Sequence, residues 1–524
     1  MKKIIQLKLS YFYLSILAFV SFYSPIYFGF IGINPIDNFT IYTSGYYVLN
    51  GQIPFKDFWV VTGPFLDLTQ ALLFNLFSID WLAYVTHAAF LNLIFTLTTY
   101  YTFRKFYLDK LSSFIYSIFL SLISYPQTGT PFVDHHATIL SLLGLEILLL
   151  GIFTQKNKFW FLIPLTYFFA FFSKQTPSAY FIIFSSFLIL LNFILRFNLI
   201  NFFNLLLGVF SSLVILTFFL NYYDIELINF YNQYFLFASS VGESRLNAEF
   251  LFPIDFSRYF LKFKLIHISY FILFYLLIYN FKKKFNYINS KDFLIIIGLI
   301  LSSWSLIIHQ LLTLNTKFVY LIIPILAGFS HIYLAKYISI EAKYKNFVLI
   351  FSFIFFCYYY IFYIKEKKFV IPNNNIHKAI STKIIDNRYS FEWVSTLSLD
   401  PEKEIFRLKK IINYFKKQKK FNYVVVTDYQ FLLTKPEFDK NIYINKWYHP
   451  GVSYPMSDNK NFIYFEEFLK EKIKINNVQE IYFIFPSWFE DDNQKVFKDL
   501  YQNCLTKESY LEGDLIKFDI SNCF

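Results

Sequence analysis

Apolar positions fill the first two thirds of the chain in long runs, and the polar positions between them alternate in character. The runs lie at about 10–30, 82–103, 111–125, 137–153, 159–173, 178–195, 201–221, 265–281, 293–312, 318–335 and 346–364. About twenty apolar residues let a helix cross roughly 30 Å of hydrocarbon. The pattern predicts a polytopic α-helical membrane protein of about eleven spans, with 111–125 and 159–173 on the short side.

The breaks fall into two sets. "RKFYLDK" at 104–110, "QKNK" at 155–158, the turn at Arg196, "NFKKKFNYINSK" at 280–291 and "KYISIEAKYK" at 336–345 share the basic character of the N-terminal "MKKIIQLK". Lys and Arg accumulate on the cytoplasmic side of spans, so these breaks and the N-terminus are read as cytoplasmic. The other set comprises 32–81, "PQTGTPFVDHH" at 126–136, "SKQTP" at 173–177, 221–264 and "HQLLTLNTK" at 309–317. Most of these are poorer in cations and richer in Asp, His, Gln, Asn and Tyr, and they face outward.

Beyond about residue 365 the pattern changes. In "DPEKEIFRLKKIINYFKKQKK" at 400–420 the apolar residues 405, 408, 411, 412 and 415 have the spacing of an amphipathic helix. Asp400 and Pro401 are suited to its start. "FNYVVVTDYQFLL" at 421–433 reads as strand then turn, and "VQEIYFIFPSW" at 478–488 as a buried strand. Helix alternating with apolar strand predicts a small α/β domain over 366–524. An odd number of spans puts it on the extracytoplasmic side, after a membrane domain over 1–365 that carries surface helices at about 32–81.

Composition sharpens this picture. Hydrophobic residues make up 56% and charged residues 16%, against about 25% charged in ordinary soluble domains. The net charge of +12 is explained by lysines beside apolar spans, so nucleic acid is not an expected partner. With 43 Tyr and 72 Phe, no single aromatic residue carries weight. The N-terminal apolar run exceeds a signal peptide and lacks a cleavage pattern, so it reads as a retained first span. Cys357 lies in an apolar run, while Cys504 and Cys523 can pair if the tail faces an oxidising compartment.

Ionisable groups at the hydrocarbon edge are costly unless they line a cavity or meet a partner. Here they gather on the outward side: Asp37 and Asp57 in the first loop, Asp134 with His135 before the fourth span, Lys174 with Gln175 before the sixth, and His309 and Lys317 around the ninth and tenth. Together they would make a polar hollow in which a carboxylate takes a proton from an attacking hydroxyl while cations offset a departing phosphate. Each has a plainer reading. Asp37 can solvate a turn, Asp57 can pair with Lys56, Asp134 suits a helix start, His135 and His136 can be interface residues, and Lys174 can snorkel to the headgroups. No phosphate-type glycine loop and no nucleotide-sugar motif is visible.

The stretch "DNFTIYTSGYYVLNGQIPFKDFWVVTGPFLDLTQALLFNLF" at 37–77 resembles the first outer loop of the C-type integral-membrane glycosyltransferases. The likeness is to the bacterial branch near lipid A aminoarabinose transferase and the protein O-mannosyltransferases. Its marks are an acidic residue after the first span, "GQIPFKD" at 51–57 and "TGPFLDL" at 62–68, with Phe55 where Tyr is commoner. The resemblance implies Asp37 as catalytic base or acceptor-orienting group and Asp134 as a second acidic site. Through "FFSKQTPS" at 171–178 it implies Lys174 as a donor-phosphate contact, and, less specifically, Lys317. Asp37 is followed by Asn38 where the protein O-mannosyltransferases carry a second acidic residue, which argues against that kind of protein acceptor.

The expected activity is transfer of a sugar from a polyprenyl-phosphate donor to a lipid, glycan or protein acceptor of a bacterial envelope. No cofactor is required, and a divalent cation is optional. The alternatives are a transporter of lipid-linked sugars and a non-catalytic subunit of an assembly complex. Transporters commonly carry inverted repeats and mid-membrane polar residues; here no repeat is visible and the charges sit at the edge.

Overall fold

A computed structural model of the chain describes residues 2–126, 128–246, 260, 263–283, 287–313, 318–338, 342–361, 376–418, 421–501 and 504–523. Among the described residues eight helices are long and apolar enough to cross a membrane. They are Ser10–Gly29, Trp81–Lys105, Val133–Thr154, Gln175–Leu195, Leu199–Tyr222, Lys264–Lys283, Lys291–Thr313 and Phe318–Tyr337. The two short runs form 15-residue helices, Lys110–Ser124 and Asn157–Phe171, and the last run forms Ala342–Tyr359. The chain is thus a multi-pass helical membrane protein. Its outer faces explain why: Phe203, Phe210 and Phe218 on Leu199–Tyr222 all point outward, an apolar stripe that water would not tolerate.

Val133–Thr154 is the central element, buried on nearly every side. It packs against Asn157–Phe171, Gln175–Leu195, Trp81–Lys105 and Lys291–Thr313. Its two ends therefore lie at opposite ends of the bundle, about 33 Å apart for 22 residues at about 1.5 Å each.

In the tail the helix and the two strands read from the sequence form at Pro401–Phe415, Asn422–Val426 and Val478–Ile484. Pro401–Phe415 is a helix whose cap, the Asp400 side chain, accepts a bond from the Lys403 N–H. Its buried Glu404 accepts from the Trp393 indole, the Ser395 hydroxyl and the Tyr429 hydroxyl, so this interior carboxylate is fully satisfied. Strands β4 (Asn422–Val426), β5 (Val478–Ile484), β6 (Thr506–Tyr510) and β7 (Leu515–Asp519) form a sheet of order β4-β5-β7-β6, with only β4 and β5 parallel. Cys504 and Cys523 are joined by a disulfide.

A second sheet joins the tail to the first loop. Strand β1 (Ile31–Ile33) pairs in parallel with β3 (Glu392–Ser395), which pairs antiparallel with β2 (Ile380–Ser381). Rings interlock across the joint: Phe39 lies 4.5 Å from Phe431, and Trp81 4.4 Å from Phe391. The tail and the first loop thus share one apolar core, while the expected boundary at 365/366 lies outside the described residues.

Candidate functional site

The first loop is shaped by local chemistry. Pro35–Asn38 is a single helical turn, closed by the Asn34 N–H donating to Asn38 Oδ1 at 2.7 Å. The Asn38 amide also donates to Thr130 Oγ1, and its carbonyl accepts from the Tyr84 hydroxyl at 2.6 Å. Asn38 therefore fixes the turn, and the neighbouring Asp37 is left on the cavity wall with its Oδ2 accepting from the Asn34 amide at 2.8 Å.

The "TGPF" element docks this loop onto the bundle. The Gly63 and Phe65 N–H groups donate to the Ser173 and Phe172 carbonyls, each at 3.2 Å. A Cβ at Gly63 would lie 1.8 Å from the Phe172 oxygen, so only glycine allows the approach. The contact falls one residue before Lys174, whose ammonium lies 2.6 Å from both oxygens of Asp134. His309 Nε2 stands 3.4 Å from Asp134 Oδ1.

Above these groups the chain encloses a cavity of about 510 Å³, inside the roughly 300–1,000 Å³ usual for small-molecule sites. Asp37, Asp134, Lys174 and Gln175 all line it. The Ala238–Arg245 helix and the tail supply the rest, notably Arg245, Trp447, His449, Trp488 and Phe489. Arg245 makes no hydrogen bond or ion pair with a described residue. The His449 ring stacks on Phe489 at 3.9 Å. Burial and the Arg245 charge push its pKa down to about 4, so the imidazole is neutral at physiological pH.

The other expected residues lie elsewhere. Asp57 is not in the cavity; its Oδ2 accepts from the Ile53 N–H at 2.7 Å and closes the "IPFKD" turn. Lys56 reaches Asp224 at 3.3 Å instead of Asp57. His135 also faces away, its ring tilted against Tyr125 at 4.2 Å and stacked on Phe318 at 4.7 Å. Successive helical residues point about 100° apart, so with Asp134 at the cavity its neighbour must enter the bundle. His309 touches the site only through Asp134, although Thr313, one turn on, lines the cavity. The Gln175 amide is spent on the Val61 and Tyr234 carbonyls, at 2.9 and 2.6 Å. Lys317 lies outside the described residues. Among the described residues no three His, Cys, Asp or Glu side chains gather as metal ligands.

Three features escaped the sequence reading: Arg245, the Trp447–His449 segment, and the buried pair of Asp67 and Lys446. The Lys446 ammonium donates to Asp67 Oδ2 at 2.7 Å and to Thr62 Oγ1 at 3.1 Å, and both charged residues are sealed from solvent. Burial raises the Asp67 carboxyl and lowers the Lys446 ammonium, while each charge pulls the other back. The Trp447 indole donates to the Ile36 carbonyl at 2.9 Å, beside Asp37. This joint clamps two parts of the cavity wall. The cluster "NKWYHPG" at 445–451 is the one hint the sequence held.

No protein-family model matches the chain, and no curated protein matches it.

Proposed function

We propose that the protein is a membrane glycosyltransferase that moves a sugar from a polyprenyl-phosphate carrier to a hydroxyl of an envelope lipid, glycan or protein. One observation carries this reading: Asp37 and Asp134, which come from separate outer breaks of the chain, share one cavity with Lys174 and Arg245. In the proposed step the acceptor oxygen attacks the anomeric carbon and its proton passes to Asp37. The bond from that carbon to the phosphate oxygen breaks, and its electron pair leaves with the polyprenyl phosphate. Arg245 offsets the charge that grows on the phosphate. Asp134, held by Lys174 and His309, positions sugar or acceptor hydroxyls, and Trp447, Trp488 and Phe489 offer flat apolar faces to a sugar ring. No metal is needed for this chemistry.

In this reading the three shorter helices also count as spans, which gives eleven, with the N-terminus cytoplasmic and the cavity and tail extracytoplasmic. Two features support that orientation. Arg104, Lys105, Lys156 and Lys291 gather at the end of the bundle opposite Asp134, as cytoplasmic cations do. The Cys504–Cys523 disulfide suits an oxidising compartment.

The test compares envelope glycans and lipid-linked sugars by mass spectrometry in cells with the wild-type chain, without it, and with Asp37→Asn. Loss of one sugar modification together with build-up of its carrier is expected without the chain. Asp37→Asn should lower transfer by about 100- to 10,000-fold, the usual contribution of a positioned base, at unchanged membrane level. Wild-type transfer by that variant would remove the mechanism.

A further inference from the structure

The end of the bundle opposite the aspartates holds a second cavity, of about 480 Å³. Arg104 and Lys105 enter it from the last turn of Trp81–Lys105, Lys156 from the turn after Val133–Thr154, and Lys291 from the start of Lys291–Thr313. Among the described residues no carboxylate lines it.

None of the four cations forms an ion pair with a described residue. Arg104 donates to the Leu108 carbonyl and Lys291 to the Phe153 carbonyl at 2.7 Å, while Lys105 sits 5.2 Å from the Tyr101 ring centroid. Asp292, next to Lys291, bonds to Lys336 at 2.5 Å and to the Tyr337 hydroxyl, and acts on Lys291 and Arg196 only through space. A fifth cation, Arg196, is close enough to Lys291 for the two charges to repel, and its buried Nη1 has no hydrogen-bond partner among the described residues. Topological sorting of lysines accounts for cations on this side. It does not account for a concave site whose described lining holds four cations and no carboxylate.

We propose that this cavity binds the phosphate headgroup of an anionic membrane phospholipid. A lipid is favoured over free phosphate by the rim, where Tyr101 and Tyr107 line the cavity and stand exposed beside the cations at the end of a membrane-crossing helix. Acyl chains can lie along that helix while the headgroup phosphate sits among Arg104, Lys105, Lys156 and Lys291. The inference is independent of the transfer reaction at the other end.

The experiment is native mass spectrometry of the full chain in detergent, with equal amounts of phosphatidylglycerol and phosphatidylcholine. The wild-type chain should retain phosphatidylglycerol preferentially, and inorganic phosphate at equal concentration should not displace it. Lys105 and Lys156 are exposed, so replacing them leaves packing intact. K105Q and K156Q should each weaken retention about fivefold, and together about twenty-five-fold, for two lost charge contacts of the usual size. K158Q, which removes an exposed lysine paired with the Phe159 ring outside the cavity, should leave retention unchanged. Equal retention of both lipids, displacement by inorganic phosphate, or an equal loss in K158Q would overturn the proposal.

Discussion

Replacing Asp67 by Asn should loosen the joint between first loop and tail while leaving the bundle in place. At 2.7 Å and an effective dielectric of about 20, the Asp67 and Lys446 charges attract by about 6 kcal/mol. Most of that is offset by drying both ions. Asn at 67 keeps the shape and puts a neutral amide in place of the charge, which leaves a buried ammonium without a counter-ion, beside Thr62 Oγ1 at 3.1 Å and the Trp447 ring at 5.6 Å. Stranding one member of a buried pair costs about 3–5 kcal/mol, and these two remaining contacts put the expected loss near the lower limit, about 3 kcal/mol. Asp67→Leu with Lys446→Met strands neither charge and leaves the Ser44 hydroxyl, which donates to Asp67 Oδ1, to fall back on the Ile41 carbonyl at 3.5 Å, so the double variant should fall within about 1 kcal/mol of wild type. Chemical denaturation in detergent, followed by tryptophan fluorescence, measures Asp67→Asn and the cycle of wild type, Asp67→Leu, Lys446→Met and their double variant. Transfer should fall with stability in the single variants, because Thr62 and Trp447 line the cavity. Single losses below about 1 kcal/mol, or losses that simply add in the double variant, would refute the argument.

Three further outcomes follow from other parts of the structure. Gly63→Ala would set a Cβ 1.8 Å from the Phe172 oxygen, so it should cost about 1–3 kcal/mol and displace the turn that carries Lys174, seen as a lowered Tm with loss of transfer. Cys504→Ser should lower tail stability by about 3 kcal/mol, as expected for a closed loop of 19 residues, and a reductant should lower the Tm of wild type but not of the variant. Asp428 is lifted by burial from 3.8 to about 6. The folded form then holds its proton more tightly than the unfolded form, and stability falls as pH rises from about 4 through 6. Asp428→Asn should therefore gain up to about 3 kcal/mol over wild type at pH 7.5, with no gain below pH 4, read from Tm at both pH values.

Helix positions and the polar end of the bundle were legible because hydrocarbon permits few solutions. A run of twenty apolar residues must be a helix, and Asp37, Asp134, Lys174 and Gln175 each mark the point where such a run begins or ends. His135 lies outside the cavity for a reason also in the sequence, since adjacent helical residues cannot share a face. Asp57 lies outside the cavity because, although "GQIPFKD" resembles a site motif, a proline and a carboxylate four residues from Ile53 also specify a turn. The Asp67–Lys446 pair spans 379 residues, and no local pattern links its members. Arg245, Trp447 and His449 share that difficulty: their place depends on how the tail docks, and docking is written in long-range packing.

Strand β1 is synthesised among the first forty residues, whereas β3, Phe431 and Lys446 leave the ribosome after the bundle has been threaded. Until then the first loop carries an unpaired strand, a stranded carboxylate and a row of bare rings. The first loop therefore completes its packing only when partners from 392 onward have docked on it, so an early stop before them leaves an edge open to pairing with other chains.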